Sequence, residues 1–260
     1  MVRRILVLVL VLFSCTERKL TVSDLEFPDP ERNGILKNRV SEMLGVASMQ
    51  IANVDTTFRS SYDKLGHAIR VSPYPFDEKI YRYDSMNLPD SLYERRWDAS
   101  VGYKIIPTFD EEATVLYMYY FDPRFKADRY VEELKFDGYG RLTEVDRHYL
   151  KHTAFRNPPA FRALKSKPEY TARYFYDDKG RLVRDSSDYE YVTVHKYYYS
   201  DRLDSMVSTR SDRARFYEEQ RTYYDESELR ESTRVVVRNG GKVSGASQYA
   251  YTIGYSYKKW

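Results

Sequence analysis

The stretch that decides the fold is YDDKGRL, residues 176–182. An Asp at the first position of a type I turn accepts hydrogen bonds from the turn backbone, and a Gly at the fourth position takes the left-handed conformation that closes the loop as a G1 bulge. Such a loop places Tyr176 opposite Leu182, and Asp177 opposite Arg181, on adjacent strands. The stretch therefore predicts a β-hairpin whose two strands continue on either side.

The same frame recurs along the chain. It reads FDGYGRL at residues 136–142 and, more loosely, YDKLGH at 62–67, and weaker copies begin at Tyr83, Tyr199 and Tyr224. A short unit repeated in this way indicates a repetitive architecture. The residues assigned to the turns are Asp63, Gly66, Asp137, Gly140, Arg141, Asp177, Gly180 and Arg181.

The segments between these turns have the composition of strands. The chain has 27 tyrosines against 12 phenylalanines, and tyrosine suits pleated surfaces that are half buried. Residues 115–121, 189–194 and 249–257 are β-branched and aromatic, and the last alternates strictly, with Tyr249, Tyr251, Ile253, Tyr255 and Tyr257 on one face. The sequence therefore predicts an all-β fold, an antiparallel meander of repeated β-hairpins that forms a large curved sheet or open barrel of about a dozen strands.

The frame resembles the YD, or RHS-type, repeat family, and residues 136–142 and 176–182 match it best. His67 stands where the family has Arg. The resemblance implies long antiparallel sheets built of hairpins. The chain has few good copies and no room for the enclosed shell of the large members, so only the hairpin architecture is carried over, together with a likeness to small envelope lipoproteins.

The N-terminus predicts export and lipidation. Two arginines precede an apolar run at residues 5–13, and residues 12–15, LFSC, resemble the lipobox of bacterial lipoproteins. The resemblance implies cleavage before Cys15 and a lipid on its thiol. Thr16 stands where Asp would indicate retention in the inner membrane. The expected location is therefore the outer membrane of a Gram-negative bacterium, on its periplasmic or its surface face.

Three regions follow from these patterns. Residues 1–14 are a signal peptide, and residues 15–38, which are polar and broken by Pro28, Pro30 and Gly34, are expected to form a tether. Residues 39–260 are expected to form a single β-rich repeat domain. Because Cys15 is the chain's one cysteine, a lipidated mature chain has neither a free thiol nor a disulfide.

An insertion at residues 151–168 interrupts the strand pattern. It has five basic residues, no acidic residue and two phenylalanines, and its prolines keep it out of a sheet. We interpret it as an exposed contact segment for an anionic partner or a lipid head group. Its candidate contact residues are Lys151, Phe155, Arg156, Phe161, Arg162, Lys165 and Lys167.

The sequence has no motif for catalysis or for cofactor binding. It lacks a Gly-x-Ser-x-Gly elbow, a phosphate loop and a dinucleotide fingerprint. His148 and His152 are expected on the exposed surface, His195 on a solvent-facing strand position, and His67 in a loop. With 42 basic and 39 acidic residues, the chain has no field that would recruit nucleic acid. We therefore expect a protein that is not an enzyme and that takes no metal and no cofactor.

Two functions fit these expectations. The first is a lipid-anchored envelope protein that acts as a non-catalytic binding or scaffold module for a protein or glycan. The alternative is a periplasmic carrier that holds a lipid or a small apolar ligand in its curved sheet. A flat sheet with tyrosine hydroxyls pointing outward favours the first, and a shielded, concave apolar face favours the second.

Overall fold

The computed structural model describes residues 19–48, 56–74, 77–95, 100–110, 114–124, 127–150, 167–212, 216–239 and 247–260. These residues form a 3₁₀ turn, Val22–Asp24, a helix α1, Arg32–Lys37, and 16 β-strands. The strands are β1 Val40–Ser48, β2 Thr56–Tyr62, β3 Ala68–Tyr74, β4 Asp77–Tyr83, β5 Pro89–Arg95, β6 Ser100–Asp110, β7 Val115–Asp122, β8 Ala127–Phe136, β9 Leu142–Tyr149, β10 Tyr170–Tyr176, β11 Leu182–Asp188, β12 Val192–Tyr199, β13 Leu203–Ser211, β14 Phe216–Tyr224, β15 Arg230–Asn239 and β16 Ser247–Lys259.

The strands form one closed antiparallel barrel. Each strand pairs with the next along the chain, and β1 closes the ring by pairing with β16, from Val40 opposite Lys259 to Ser48 opposite Thr252. The predicted all-β meander of hairpins is confirmed. The strand number is 16 rather than about a dozen, and the barrel is closed rather than open, because the pairing of β1 with β16 satisfies both of the edges that an open sheet would expose.

The predicted turns are present. Gly66, Gly140 and Gly180 have φ of +79°, +86° and +78°, the left-handed region in which an L side chain is strained. Tyr176 lies opposite Leu182, and the corresponding aromatic residue of the 136–142 copy lies opposite its Leu. In each turn the Asp side chain accepts backbone hydrogen bonds, as when Asp177 Oδ1 accepts from the N–H groups of residues 179 and 181 at 3.0 and 2.8 Å.

Two of the weaker copies adopt the same turn without glycine. Asn87 and Glu228 both have φ of +62° at the position that Gly occupies elsewhere. Asp84 and Asp225 cap these turns in the same way, and each carboxylate accepts from two backbone N–H groups at 2.7 to 3.0 Å. The Asp cap is therefore the feature that these copies share. At the bulge position Gly adopts the positive φ with the least strain, but Asn and Glu also occur there.

The aromatic residue of each of these repeats hydrogen bonds to the preceding repeat across the sheet. The Tyr176 hydroxyl donates to the Leu142 carbonyl at 2.8 Å, and the Arg141 guanidinium lies over the Tyr176 ring. One repeat further along, Tyr199 makes the same hydrogen bond to Leu182 at 2.9 Å. Burial raises the pKa of both tyrosines to about 12, so their hydroxyls remain donors at neutral pH.

Acid should weaken these turns, and Asp137 provides the test. Partial burial alone raises the pKa of its carboxyl group, but hydrogen bonds from Arg141 and from the Tyr139 N–H outweigh it and hold the pKa below the usual 3.8. A group with a lowered pKa in the folded state stabilises the fold above its unfolded pKa and loses that contribution as the pH falls through its folded value. We expect the free energy of unfolding to decline from about pH 4 downward.

Urea denaturation at a series of pH values measures this decline. Asp137→Asn should lower the free energy of unfolding by about 1–2 kcal/mol at pH 7 and make the acid decline shallower. Asp178→Asn, at the exposed neighbour of a capping Asp, is the control and should change neither. An unaltered acid profile in Asp137→Asn would mean that this carboxylate does not stabilise the fold.

The tether predicted for residues 15–38 must be corrected over its described part. From Lys19 onward the chain packs on the barrel, and Leu20 and Ile35 are each only 4% exposed. Glu26 forms a one-residue parallel bridge with Arg141, with backbone hydrogen bonds of 2.7 and 3.1 Å to the neighbouring turn residues. We call residues 19–39 the plug.

Candidate functional site: the barrel lumen beneath the plug

The plug lies across one end of the barrel. Its residues Val22 and Leu25 pack against the core cluster on β7 and β8, while Glu31 bonds to β14 and β15 on another part of the wall. A single segment can reach both only across the mouth. The turns at residues 63–67, 84–88, 137–141, 177–181 and 225–229 surround this mouth, which we call the plugged end. The 188–192 turn, the end of β9 and the start of β10 lie at the opposite end.

Most tyrosines of the described strands face into the barrel. On β16 the odd-numbered residues from 251 to 257 are half buried and the even-numbered ones are exposed, as the sequence predicted, and Tyr255 and Tyr257 pack in the core cluster around α1. The inward-facing tyrosines are Tyr62, Tyr81, Tyr83, Tyr103, Tyr120, Tyr130, Tyr170, Tyr174, Tyr176, Tyr197, Tyr199, Tyr224, Tyr251, Tyr255 and Tyr257. The lumen is therefore lined by aromatic rings that carry hydroxyl groups.

Several outward strand faces carry ion pairs, whereas on the outward face of β7 and β8 Val115, Tyr117, Tyr119 and Val131 form a buried apolar cluster. Glu78 on β4 pairs with Arg70 on β3 and with Arg95 on β5, at 2.9 and 3.6 Å. Further around the barrel, Lys135 on β8 pairs with Glu144 on β9 at 2.6 Å. A barrel wall that contacts lipid carries an apolar outward band instead. The alternation therefore places most of the described tyrosines inside and these ion pairs on the outer wall.

Glu132 in the lumen is matched by donors from neighbouring strands. Glu132 accepts a hydrogen bond from the Tyr120 hydroxyl at 2.7 Å and from Arg147 Nε at 3.0 Å. The Tyr120 ring stacks on Tyr130 with 4.1 Å between centroids, and the Arg147 guanidinium lies over the same Tyr130 ring. Burial is the main reason that the pKa of Tyr120 lies well above its usual value, so this hydroxyl stays a donor.

A second carboxylate, Asp185 on β11, is matched in the same way. Its two oxygens lie 2.8 Å from His195 Nδ1 and from the Tyr197 hydroxyl, both on β12. At the mouth, Glu31 of the plug accepts from the Tyr224 hydroxyl at 2.6 Å and from Arg230 Nε at 2.7 Å. These polar groups of the lumen thus hydrogen bond to one another, and the Glu31 contacts hold the plug to the wall.

A cavity of about 950 Å³ lies between the plug and the wall. Its apolar lining comes from the plug, from β3, β5 and the 84–88 turn, and from β7 and β8, and its polar lining includes Arg32 and His67. Arg32 donates to the Leu65 carbonyl at 3.1 Å, and His67 Nδ1 lies 2.9 Å from an oxygen of Asp63. The apolar residues of the lining are Val22, Leu25, Phe27, Pro28, Ala68, Met86, Leu88, Pro89, Met118 and Leu134.

The structure places the predicted site residues as follows. All of the assigned turn residues lie at the plugged end, and Gly66 and Gly140 contact the plug directly. Residues 151–166 of the predicted contact segment lie outside the described residues, as does Cys15, and Lys167 is exposed. Sequence reasoning missed the lumen cluster, since alternation reveals that tyrosines share a face but not which face is enclosed.

The prediction for His148 was wrong. His148 was expected on the exposed surface, yet it is only 4% exposed, with neither ring nitrogen hydrogen bonded and Nε2 3.8 Å from Glu133. His195, expected at a solvent-facing strand position, lies on the inward face of β12 with 32% of its side chain exposed and pairs with Asp185. His67 does lie in its predicted turn. Alternation along a strand shows which residues share a face with each histidine. Only the closed barrel shows whether that face points inward or outward.

Two further observations concern the described part of the chain. It contains no group of three or more His, Cys, Asp or Glu side chains that could hold a metal ion. Among the same residues, none of the helical segments has the length and apolar character needed to span a bilayer.

No protein-family model matches the chain, and no curated protein matches it. Among solved structures, a porin-like protein from Bacteroides uniformis matches 90% of this chain and 100% of its own, with 9% identity and a TM-score of 0.37.

Two toxin complexes match over a small part of their own length. A chain of the TcdB2-TccC3-Cdc42 complex aligns with 80% of this chain and 14% of its own, at 10% identity and a TM-score of 0.21. A chain of the Photorhabdus luminescens Tc holotoxin pore aligns with 84% of this chain and 15% of its own, at 10% identity and a TM-score of 0.20.

Proposed function

We propose that this protein is a lipid-anchored carrier of the bacterial envelope that holds a small apolar ligand in its lumen beneath the plug. The observation that carries the proposal is that the barrel is closed and that most tyrosines of its described strands face inward. Of the two functions that the sequence left open, the carrier needs this arrangement. A docking sheet for a protein or glycan would present its tyrosines outward.

The chemistry of the cavity supports an uncharged ligand. Protein cavities for small ligands are typically about 300–1,000 Å³ and mostly apolar, with a few polar groups that fix orientation. The polar groups here are already engaged, as when Glu132 is held by Arg147 and Tyr120 and when Arg32 is held by the 63–67 turn. A charged ligand would have to displace these partners, whereas an apolar one replaces only water.

The envelope location rests on the N-terminus. The apolar run and the LFSC motif at residues 12–15 support a lipid on Cys15, and the hairpin frame supports a likeness to small lipoproteins with YD-type repeats. The charged outer wall fits a barrel body that sits in water and is held to the membrane by its lipid. We place the protein on the outer membrane and give it no catalytic role.

Binding of N-phenylnaphthylamine, a neutral dye that fluoresces in apolar surroundings, tests the carrier function. We expect a saturable rise in fluorescence. Met118→Trp should weaken dye binding at least tenfold, because Met118 is 2% exposed and lines the cavity, so that a larger side chain must enter it. The matched control is Ile106→Trp, since Ile106 lies on the outward face of the adjacent strand and is 36% exposed.

Circular dichroism shows whether both variants keep the barrel. Dye binding that is unsaturable, or that is equally strong in a folded Met118→Trp, would reject the lumen as the binding site. Loss of binding in Ile106→Trp alone would place the dye on the outer wall and would also reject it.

A further inference from the structure

We propose that one sector of the plugged end is a membrane-contact surface that sits on the head groups and outer acyl chains of an anionic bilayer. We call it the membrane face, and it comprises Leu36, Leu65, Met86 and Trp260, with the basic residues Lys37, Arg39, Lys64, Lys258 and Lys259 around them. The inference rests on the lipid anchor proposed above for its orientation and goes beyond the carrier function.

The apolar members of the membrane face are unusually exposed. Leu65, Met86 and Trp260 are 51%, 58% and 57% exposed, and Leu36 is 41% exposed. A large apolar side chain that remains exposed beside others of its kind marks an interaction surface, whereas isolated ones do not. Aromatic side chains at such a position favour the head-group region of a bilayer.

These residues lie side by side. Leu36 on α1 packs next to the β2–β3 turn, since a Cβ added to Gly66 would lie 2.9 Å from Leu36 Cγ. Trp260 follows β16, and its backbone N–H donates to the Arg39 carbonyl at 2.9 Å. Leu36, Arg39, Lys64 and Trp260 line one groove. Met86 lies on the β4–β5 turn, the next turn around the mouth.

The charge of the membrane face points to an anionic surface. All five of its basic residues are exposed. Asp63, the acidic residue that lines the same groove, is engaged by His67 and by two backbone N–H groups. Exposed lysines and arginines close to an anionic bilayer add to binding, each by a factor of about five. Apolar side chains within a basic ring are the composition of proteins that lie on membranes.

The path of the chain places the bilayer at this end. The plug begins at Lys19, and Leu20 packs near Gly140 on the mouth. Cys15 is four residues further back, and four extended residues span at most about 14 Å. A lipid on Cys15 therefore holds the plugged end, and not the opposite end, at the membrane.

Tryptophan fluorescence in vesicles tests the membrane face. Trp97→Phe leaves Trp260 as the single tryptophan. The full-length lipidated protein is reconstituted into vesicles of phosphatidylethanolamine and phosphatidylglycerol, with or without bromine on the acyl chains. We expect Trp260 emission to shift to shorter wavelength and to fall at least twofold in brominated vesicles. Lys64→Glu/Lys258→Glu should reduce this quenching, and the outer-wall variant Lys196→Glu should not.

A reporter at the opposite end is the matched control. The variant Trp97→Phe/Trp260→Phe/Tyr189→Trp carries its tryptophan at the 188–192 turn, where Tyr189 is 55% exposed, and its emission should be the same in both kinds of vesicle. A protein that floats with vesicles while Trp260 stays unquenched, or one in which residue 189 is quenched equally, would overturn the membrane face. A protein that does not float would overturn both the anchor and the membrane face. Dye binding, which needs no vesicles, reports on the carrier function separately.

Discussion

Gly140→Ala should lower the free energy of unfolding by about 2–4 kcal/mol, and Gly180→Ala by only about 1 kcal/mol. Both glycines have φ near +80°, so the strain of the left-handed backbone is common to the two variants. A Cβ at Gly140 would lie 2.2 Å from the Asp24 carbonyl oxygen of the plug, whereas at Gly180 the nearest atom is a terminal nitrogen of Arg141 at 3.4 Å. The difference in unfolding free energy between the variants therefore measures how much the contact between the plug and the 137–141 turn stabilises the fold.

A third glycine distinguishes the effect of plug contacts from the effect of the intrinsic helix propensity of the residue. Gly34 lies in α1, where Ala would ordinarily stabilise a helix by about 1 kcal/mol. Its Cβ, however, would lie 2.3 Å from the Glu228 carbonyl oxygen. We therefore expect Gly34→Ala to destabilise the protein, and urea denaturation with limited proteolysis of residues 19–39 measures both effects. Equal losses of unfolding free energy in Gly140→Ala and Gly180→Ala, or a Gly34→Ala variant that is more stable, would show that the plug does not pack closely against the turns.

Arg230→Met should cost about 2–3 kcal/mol of folding free energy, because it leaves the Glu31 carboxylate in the lumen without its cation. The two side chains are 23% and 18% exposed, and this partial exposure reduces the expected cost below that of a fully buried pair. Chemical denaturation measures the loss. The added substitution Glu31→Gln should restore part of the stability, since it removes the unpaired charge.

Arg173→Met is the matched control on the outer wall. Arg173 pairs with Glu144 at a similar distance, 2.9 Å, but is 61% exposed, and exposed pairs contribute about 0–1 kcal/mol. The comparison contrasts an ion pair in the lumen with one in water. If Arg230→Met lost no more stability than Arg173→Met, the contacts of Glu31 with Arg230 and Tyr224 would not be what holds the plug to the wall.

The turns could be predicted from the sequence because their chemistry is local. Asp137 and Gly140 lie within one turn, and their identities alone specify the cap and the bulge. The weaker copies were harder, since Asn87 and Glu228 replace the glycine and only the Asp cap remains. The alternation on β16 was likewise visible, because the period of a strand is a property of consecutive residues.

What depends on distant partners could not be predicted. The pairing of β1 with β16 joins strands about 200 residues apart, and no local pattern encodes it. The prolines and the glycine of the predicted tether are typical of irregular chain. Position 34, however, requires glycine because the Glu228 carbonyl lies where a Cβ would be. The Glu31–Arg230 pair spans a similar separation, so the lumen clusters became visible only once the barrel closed.

The closure of the barrel also has a kinetic consequence. Fifteen of the strand pairings join neighbours along the chain, and such local contacts form fast, whereas the pairing of β1 with β16 must wait for nearly all the others. Until then the growing sheet exposes two unpaired edges, which are templates for aggregation. We infer that the last strand to dock determines how long the nascent protein depends on protection from chaperones.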